Sequence, residues 1–106
     1  MSQPRYLPAA LRVIGEIYDY SEDRFGENQA DKYVQGLFAL CEALAERRRQ
    51  PIPDEFEVEG YFARYEKHFV YWRLSDQGEV IVVCILHHRM DLSDRLLDAL
   101  VENDLE

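Results

Sequence analysis

Residues 60–91 read GYFARYEKHFVYWRLSDQGEVIVVCILHHRMD. Two apolar, β-branched and aromatic runs flank Ser75-Asp76-Gln77-Gly78, a hairpin turn with glycine where a left-handed backbone is needed. In the first run Phe69 and Tyr71 alternate with Val70, Trp72 and Leu74, so both faces are apolar. The second run, Val80 to Leu86, is apolar throughout and reads as a central strand covered on both sides. One helical layer covers only one face. A second cover is therefore expected, either the C-terminal segment or a partner. Upstream, Phe56, Val58, Gly60 and Phe62 alternate with Glu57, Glu59, Tyr61 and Ala63, which extends an earlier strand back past Gly60.

The chain before this sheet is helical. Arg5-Tyr6-Leu7 is a short edge strand at most, and Pro8 suits the first turn of a helix. Ala10, Leu11, Ile14, Ile17, Tyr18 and Phe25 form one stripe, giving a helix from Pro8 to Phe25 that Gly26 closes. Asn28 is placed to cap a second helix, whose face is Ala30, Tyr33, Val34, Leu37, Leu40, Cys41 and Leu44. The short turn makes the pair antiparallel. Gly36 costs about 1 kcal/mol of helix propensity, which a close crossing by the first helix would justify. Arg47, Arg48 and Arg49 end the second helix as a solvated complement to its dipole or as an anion patch. Pro51 and Pro53 then break the period. After Asp91 a short acidic helix is expected, capped by Asp91 or Ser93, with Leu92, Leu96, Leu97 and Leu100 on one side and a frayed end. Residues 1–106 form one domain, with 91–106 as its tail.

Composition narrows the function. The net charge of −9, from 12 basic against 21 acidic residues, disfavours gripping a phosphate backbone and favours a protein partner. No apolar run reaches the length of a membrane span and no secretory leader is visible at Met1 to Arg5, so a cytoplasmic location is expected. Cys41 and Cys84 fall in apolar periodic segments and read as buried reduced thiols. Neither has metal-ligand spacing, and adjacent His87 and His88 point to opposite sides of a strand, so no cofactor or metal is expected. Acid–base chemistry has candidates in His68, Arg64, Arg73, His87 and Arg89, but each also has a structural reading. His68 suits a hydrogen bond in a turn, and Arg73 a solvent face. The His87 to Asp91 cluster suits a strand end.

Several segments together resemble a known family. Ile17-Tyr18-Asp19-Tyr20, Phe25-Gly26, Gln29-Ala30-Asp31-Lys32-Tyr33, Gly60-Tyr61-Phe62, His68 to Arg73 and above all Ile85-Leu86-His87-His88-Arg89-Met90-Asp91 resemble the ParE branch of the RelE/ParE toxin superfamily. The resemblance implies an α+β fold of order β-α-α-β-β-β, a helical hairpin on a small antiparallel sheet, with a short C-terminal helix. It implies the toxin of a type II toxin–antitoxin module, of the kind linked to plasmid stabilization, that a ribbon-helix-helix, ParD-like antitoxin neutralises through an extended C-terminal segment. DNA gyrase is the implied target and DNA is reached only through the antitoxin. Tyr61, Arg64, His68, Tyr71, Arg73, His87, Arg89, Met90 and Asp91 are expected at the target surface. Ile14, Tyr18, Tyr33, Leu37 and Trp72 are expected under the antitoxin. The reading is of a binding protein and not an enzyme. The alternatives are a RelE-type ribosome-dependent mRNA endonuclease using His68, His87 and Arg89, and a non-toxic antitoxin-binding relative.

Overall fold

The computed structural model describes residues 3–47, 50–52, 59–88 and 92–104. The expected strand residues Phe56 and Val58, the cations Arg48 and Arg49, the strand-end residues Arg89, Met90 and Asp91, and a cap by Asp91 or the Ser93 side chain lie outside what is described. The chain runs β1 (Arg5–Tyr6), α1 (Pro8–Phe25), α2 (Glu27–Ala43, extended by a 3₁₀ turn Leu44–Glu46), β2 (Gln50–Pro51), β3 (Tyr61–Tyr65), β4 (His68–Leu74), β5 (Val80–His87) and α3 (Leu92–Asp104).

The sheet order is β1-β5-β4-β3-β2. All neighbours are antiparallel except β1, which lies parallel to β5 with Arg5 opposite Ile81 and Tyr6 opposite Val82. The sheet is therefore mixed, where an antiparallel one was expected. No hairpin links β1 to β5, so nothing local dictates their sense. Leu7 N–H donates to the Val82 carbonyl at 3.0 Å just before Pro8 opens α1, and this leads the helix onto the face of the central strand.

Burial separates two cores, one on each face. Ile14, Ile17, Leu37, Leu40, Trp72 and Val82 belong to the core under the hairpin. Ile81, Val83, Cys84, Leu86, Leu96 and Ala99 belong to the core under α3. The second cover predicted for β5 is thus the C-terminal helix. In β5, Val80, Val82 and Ile85 face the hairpin while Val83 and Cys84, though adjacent, both face α3. The reason is a bulge. Tyr71 pairs with Cys84 and Trp72 with Val82, so Val83 is an extra residue against β4.

Local chemistry corrects several expectations. Gly26, at φ 91°, closes α1 and immediately opens α2, donating to Glu22 O at 2.9 Å and accepting from Ala30 N at 3.1 Å. Helix α2 therefore starts at Glu27, and Asn28 already lies in its first turn rather than capping it. Gly36 is required by Tyr65 of β3, not by α1: a Cβ there would collide with the Tyr65 hydroxyl. Leu11 and Phe25 are exposed, because the buried arc of α1 is Ala10, Ile14, Ile17 and Ser21, with Leu11 on its shoulder and Phe25 at the hairpin tip. Both cysteines are free and buried. Burial raises their thiols, Cys41 to about 11 and Cys84 to about 12.

The C-terminal helix is docked rather than frayed. Leu96 and Ala99 are buried against the sheet, while Leu97, expected on the apolar side, is exposed. Burying one leucine is worth about 1.5–3 kcal/mol, and polar contacts add to it. Arg12 donates from Nε and Nη2 to the two Glu102 carboxylate oxygens, each at 2.8 Å. Asn103 Oδ1 accepts from Ala9 N–H at 2.9 Å and Nδ2 donates to the Val83 carbonyl at 3.1 Å. Leu7, at the N-cap of α1, makes no side-chain cap bond, so Asn103 serves a first-turn donor of α1 from the far end of the chain.

Candidate functional site

The hairpin does not close fully on the sheet. A cleft of about 920 Å³ lies between α1, the start of α2 and the β3–β4 turn. Its apolar wall is Val13, Ile17, Tyr20 and Phe25 of α1 with Tyr33 of α2 and Tyr65 of β3. Tyr20 is 58% exposed and Phe25 68%, so two large aromatics remain largely uncovered. Lys32, Glu66, Lys67, His68 and His87 supply the polar edge.

A chain of polar contacts shapes that edge. Tyr65 Oη donates to the Tyr33 carbonyl at 2.8 Å. Tyr33 Oη lies 2.9 Å from His68 Nδ1. This contact ties β4 to α2, with the donor set by the His68 tautomer. His68 thus bonds to a helix, not within its own turn. It stands directly opposite His87, the ring centroids 5.2 Å apart. His88, 4.7 Å from His87, anchors instead to the Lys67 carbonyl through its backbone N–H at 2.8 Å and through Nδ1 at 3.0 Å. Burial, then the neighbouring His87 and His88, lowers the His68 pKa to about 4. His68 is therefore neutral at pH 7. Burial raises the Tyr33 phenol, which keeps it protonated.

The sheet divides the residues expected at the target surface. His68 and His87 line the cleft, and Tyr61 packs on Trp72 at 4.8 Å on that same face. Arg64, Tyr71 and Arg73 belong to the opposite face. Arg64 stacks over Phe69 at 5.7 Å, and Arg73 pairs across β5 with Ile81. Tyr71 is buried and donates to the Glu59 carbonyl at 2.8 Å, so its side chain is part of the fold. The imidazoles and these two arginines therefore cannot act on one reacting group. Arg89, Met90 and Asp91 lie outside the described residues.

Of the residues expected under an antitoxin, Tyr33 lines the cleft and Tyr18 binds Asp31 Oδ1 at 3.0 Å, tying α1 to α2. Ile14, Leu37 and Trp72 are buried in the hairpin core, Leu37 at 0% and Trp72 at 1% exposure, and offer no surface. The cleft residues that sequence reasoning passed over are Tyr20, Phe25, Lys32 and Lys67. Tyr20 falls outside the α1 stripe and Phe25 sits at the glycine turn, and both facts are legible in the sequence. Among the described residues, no group of three or more His, Cys, Asp or Glu side chains is placed to hold a metal ion, and no helix is long and apolar enough to cross a membrane.

A helical hairpin over one face of a five-stranded mixed sheet, with a short C-terminal helix over the other, defines a RelE/ParE-like α+β domain. A sequence profile described as the ParE toxin of the type II toxin–antitoxin system parDE matches residues 5–92. Toxin ParE1 of Mycobacterium tuberculosis, found in two strains, is 35% identical over 95 residues, covering 87% of this chain and 97% of that protein. Toxin ParE1 of Caulobacter vibrioides is 35% identical over 79 residues, covering 74% of this chain and 80% of that protein. The chain belongs to the ParE family of toxin–antitoxin toxins, which implies an antitoxin partner.

Proposed function

We propose that this protein is a ParE-type toxin held silent by a ParD-like antitoxin, and that once released it inhibits DNA gyrase by binding rather than by catalysis. The supporting observation is the cleft, where Tyr20 and Phe25 leave large apolar surface uncovered beside a polar edge. Apolar surface of this kind on a small domain marks a protein interaction site. The antitoxin covers the cleft through Val13, Tyr20, Phe25 and Tyr33. The target contacts fall to the strand end, with His87 leading to Arg89, Met90 and Asp91, and to Arg64 and Arg73 on the other face. The acidic chain suits a partner that brings a basic DNA-binding domain. The bacterial cytoplasm is the proposed site of action.

The sheet separates His68 and His87 from Arg64 and Arg73, so nuclease chemistry would rest on the two histidines with Arg89, which lies outside the described residues. The test is DNA supercoiling by purified gyrase with toxin freed from its antitoxin, alongside primer extension on cellular mRNA after induction. Inhibited supercoiling with intact message is the expected result. Unimpaired gyrase at saturating toxin, or new cuts within codons, overturns the gyrase assignment.

A further inference from the structure

Strand β5 is apolar and buried from Val80 to Leu86, so hydropathy does not decide which of its residues face the hairpin and which face α3. The bulge decides it. With Val83 left over, Tyr71 stands opposite Cys84, Val70 opposite Ile85 and His68 opposite His87. Were Val83 paired with Tyr71, Cys84 would stand opposite Val70, Ile85 opposite Phe69 and Leu86 opposite His68, and each side chain beyond Val83 would change faces. Both arrangements fill both cores with apolar residues. There is also room for the change. A cavity of about 230 Å³ lies between α1 and α3, with Ala9, Cys84, Ile85, Leu86 and Ala99 in its lining. It would take the larger Ile85 in place of Cys84. Cys84 would underfill the Ile85 site in the hairpin core, which makes this arrangement the minor one.

We infer that β5 has two registers and that the docking of α3 selects the one observed. The selecting contact is polar. A bulge takes its extra residue out of the ladder, and Asn103 Nδ2 donates to the Val83 carbonyl at 3.1 Å. The slipped register returns Val83 to pairing with β4 and has no use for that bond. Helix α3 is itself held by few contacts. Leu96 and Ala99 are its buried apolar side chains among the described residues, and Arg12 reaches Glu102 from α1. Loosening α3 therefore moves the population toward the slipped register, in which His87 leaves His68 for the α3 face. Whatever grips or frees α3 is thereby felt at the histidine edge of the cleft. The inference rests on the fold alone and stands or falls apart from the antitoxin and target readings.

The experiment is NMR of the isotopically labelled full-length chain, reading NOEs between β4 and β5 together with saturation-transfer exchange at β5. Asn103→Asp keeps the acceptor for Ala9 N–H, at a helix N-terminus that favours negative charge, and loses the donor to Val83. Arg12→Gln loosens α3 at Glu102 and leaves Asn103 in place. Arg95→Ala is the control, an exposed α3 side chain 4.0 Å from Asp98. The wild type should show Val70 against Ile85 and His68 against His87. Asn103→Asp should add a second set, Val70 against Cys84 and His68 against Leu86, its population raised roughly tenfold or more by the stranded carbonyl. Arg12→Gln should raise the same set by less, and Arg95→Ala not at all. A single register without exchange at β5 in both Asn103→Asp and Arg12→Gln overturns the inference, and if Asn103→Asp fails to fold, Arg12→Gln alone decides. A second set that grows equally in Arg95→Ala overturns it as well, because α3 docking is then not what selects.

Discussion

Gly36→Ala sets two opposing effects against each other. Alanine in a helix interior is favoured over glycine by about 1 kcal/mol, so propensity alone predicts stabilisation. The added Cβ, however, collides with the Tyr65 hydroxyl, with Tyr65 Cζ at 3.1 Å and Cε1 at 3.3 Å behind it. Tyr65 must move, and in moving it releases the Tyr33 carbonyl it binds at 2.8 Å. Overpacking of this kind costs about 1–3 kcal/mol, and the hydrogen bond about 0.5–1.5 kcal/mol. The net is a destabilisation of about 0.5–3.5 kcal/mol, so sterics outweigh propensity. Tyr65→Phe removes the colliding oxygen. In that background the same alanine meets only ring carbons that must give a few tenths of an ångström, and its cost falls by about 1 kcal/mol or more. The assay is urea unfolding of the four proteins of the double-mutant cycle, read as midpoint shifts at constant slope. The reasoning is refuted if Gly36→Ala raises the midpoint in the wild-type background, or if its effect is the same in the wild-type and Tyr65→Phe backgrounds.

Three further perturbations test separate parts of the structure. Asn103→Ala removes the cap on Ala9 N–H and strands the Val83 carbonyl, costing about 2–3 kcal/mol; calorimetry should show a melting temperature lower by roughly 10 °C. His68 has its pKa lowered to about 4 in the folded chain against about 6.5 unfolded, so the unfolded state takes up the proton first. Its contribution is therefore complete above pH 7 and is lost as pH falls from about 6.5 toward 4; His68→Gln should flatten the stability profile in that window, and an unchanged profile refutes the assignment. Tyr20→Ser with Phe25→Asp alters exposed side chains, so stability should move by no more than about 0.5 kcal/mol per site. Antitoxin affinity should nonetheless fall by roughly 2 kcal/mol or more, measured by calorimetric titration.

Much of the fold is legible because pattern and physics coincide. Pro8 and Gly26 mark the ends of α1, and the α2 stripe from Ala30 to Leu44 predicts its buried face. The continuous apolar run of β5 correctly requires covers on both sides. That same run hides the bulge, because VIVVCIL is apolar on either face and a one-residue slip leaves no trace in its hydropathy. The docking of α3 is hidden for a different reason: much of it comes from Glu102 and Asn103, polar residues that resemble an ordinary solvated end. The site is legible in part. His68 and His87 stand out in the sequence, and they do meet across the strands. Sequence nearness groups Arg64 and Arg73 with them, but nearness does not register the side of a sheet. Tyr20, Phe25 and the two lysines converge only through the tilt of a hairpin over a turn far along the chain.

The bulge at Val83 acts as a parity switch. In an unbroken strand His87 would share a side with Ile81 and Val83 and look toward α3; one surplus residue turns it toward His68 and the lysines. Which compartment receives the strand's last side chains is thus encoded by a count of residues and not by the identity of any of them. Relatives that lack the bulge would deliver the histidine that corresponds to His87 to the other side of the sheet, with every letter around it intact. Sequence identity at the strand end is then not a sufficient guide to function; the length of the strand before it has to agree as well. Asn103 holds the carbonyl of the surplus residue, so the last turn of the chain keeps that count in place.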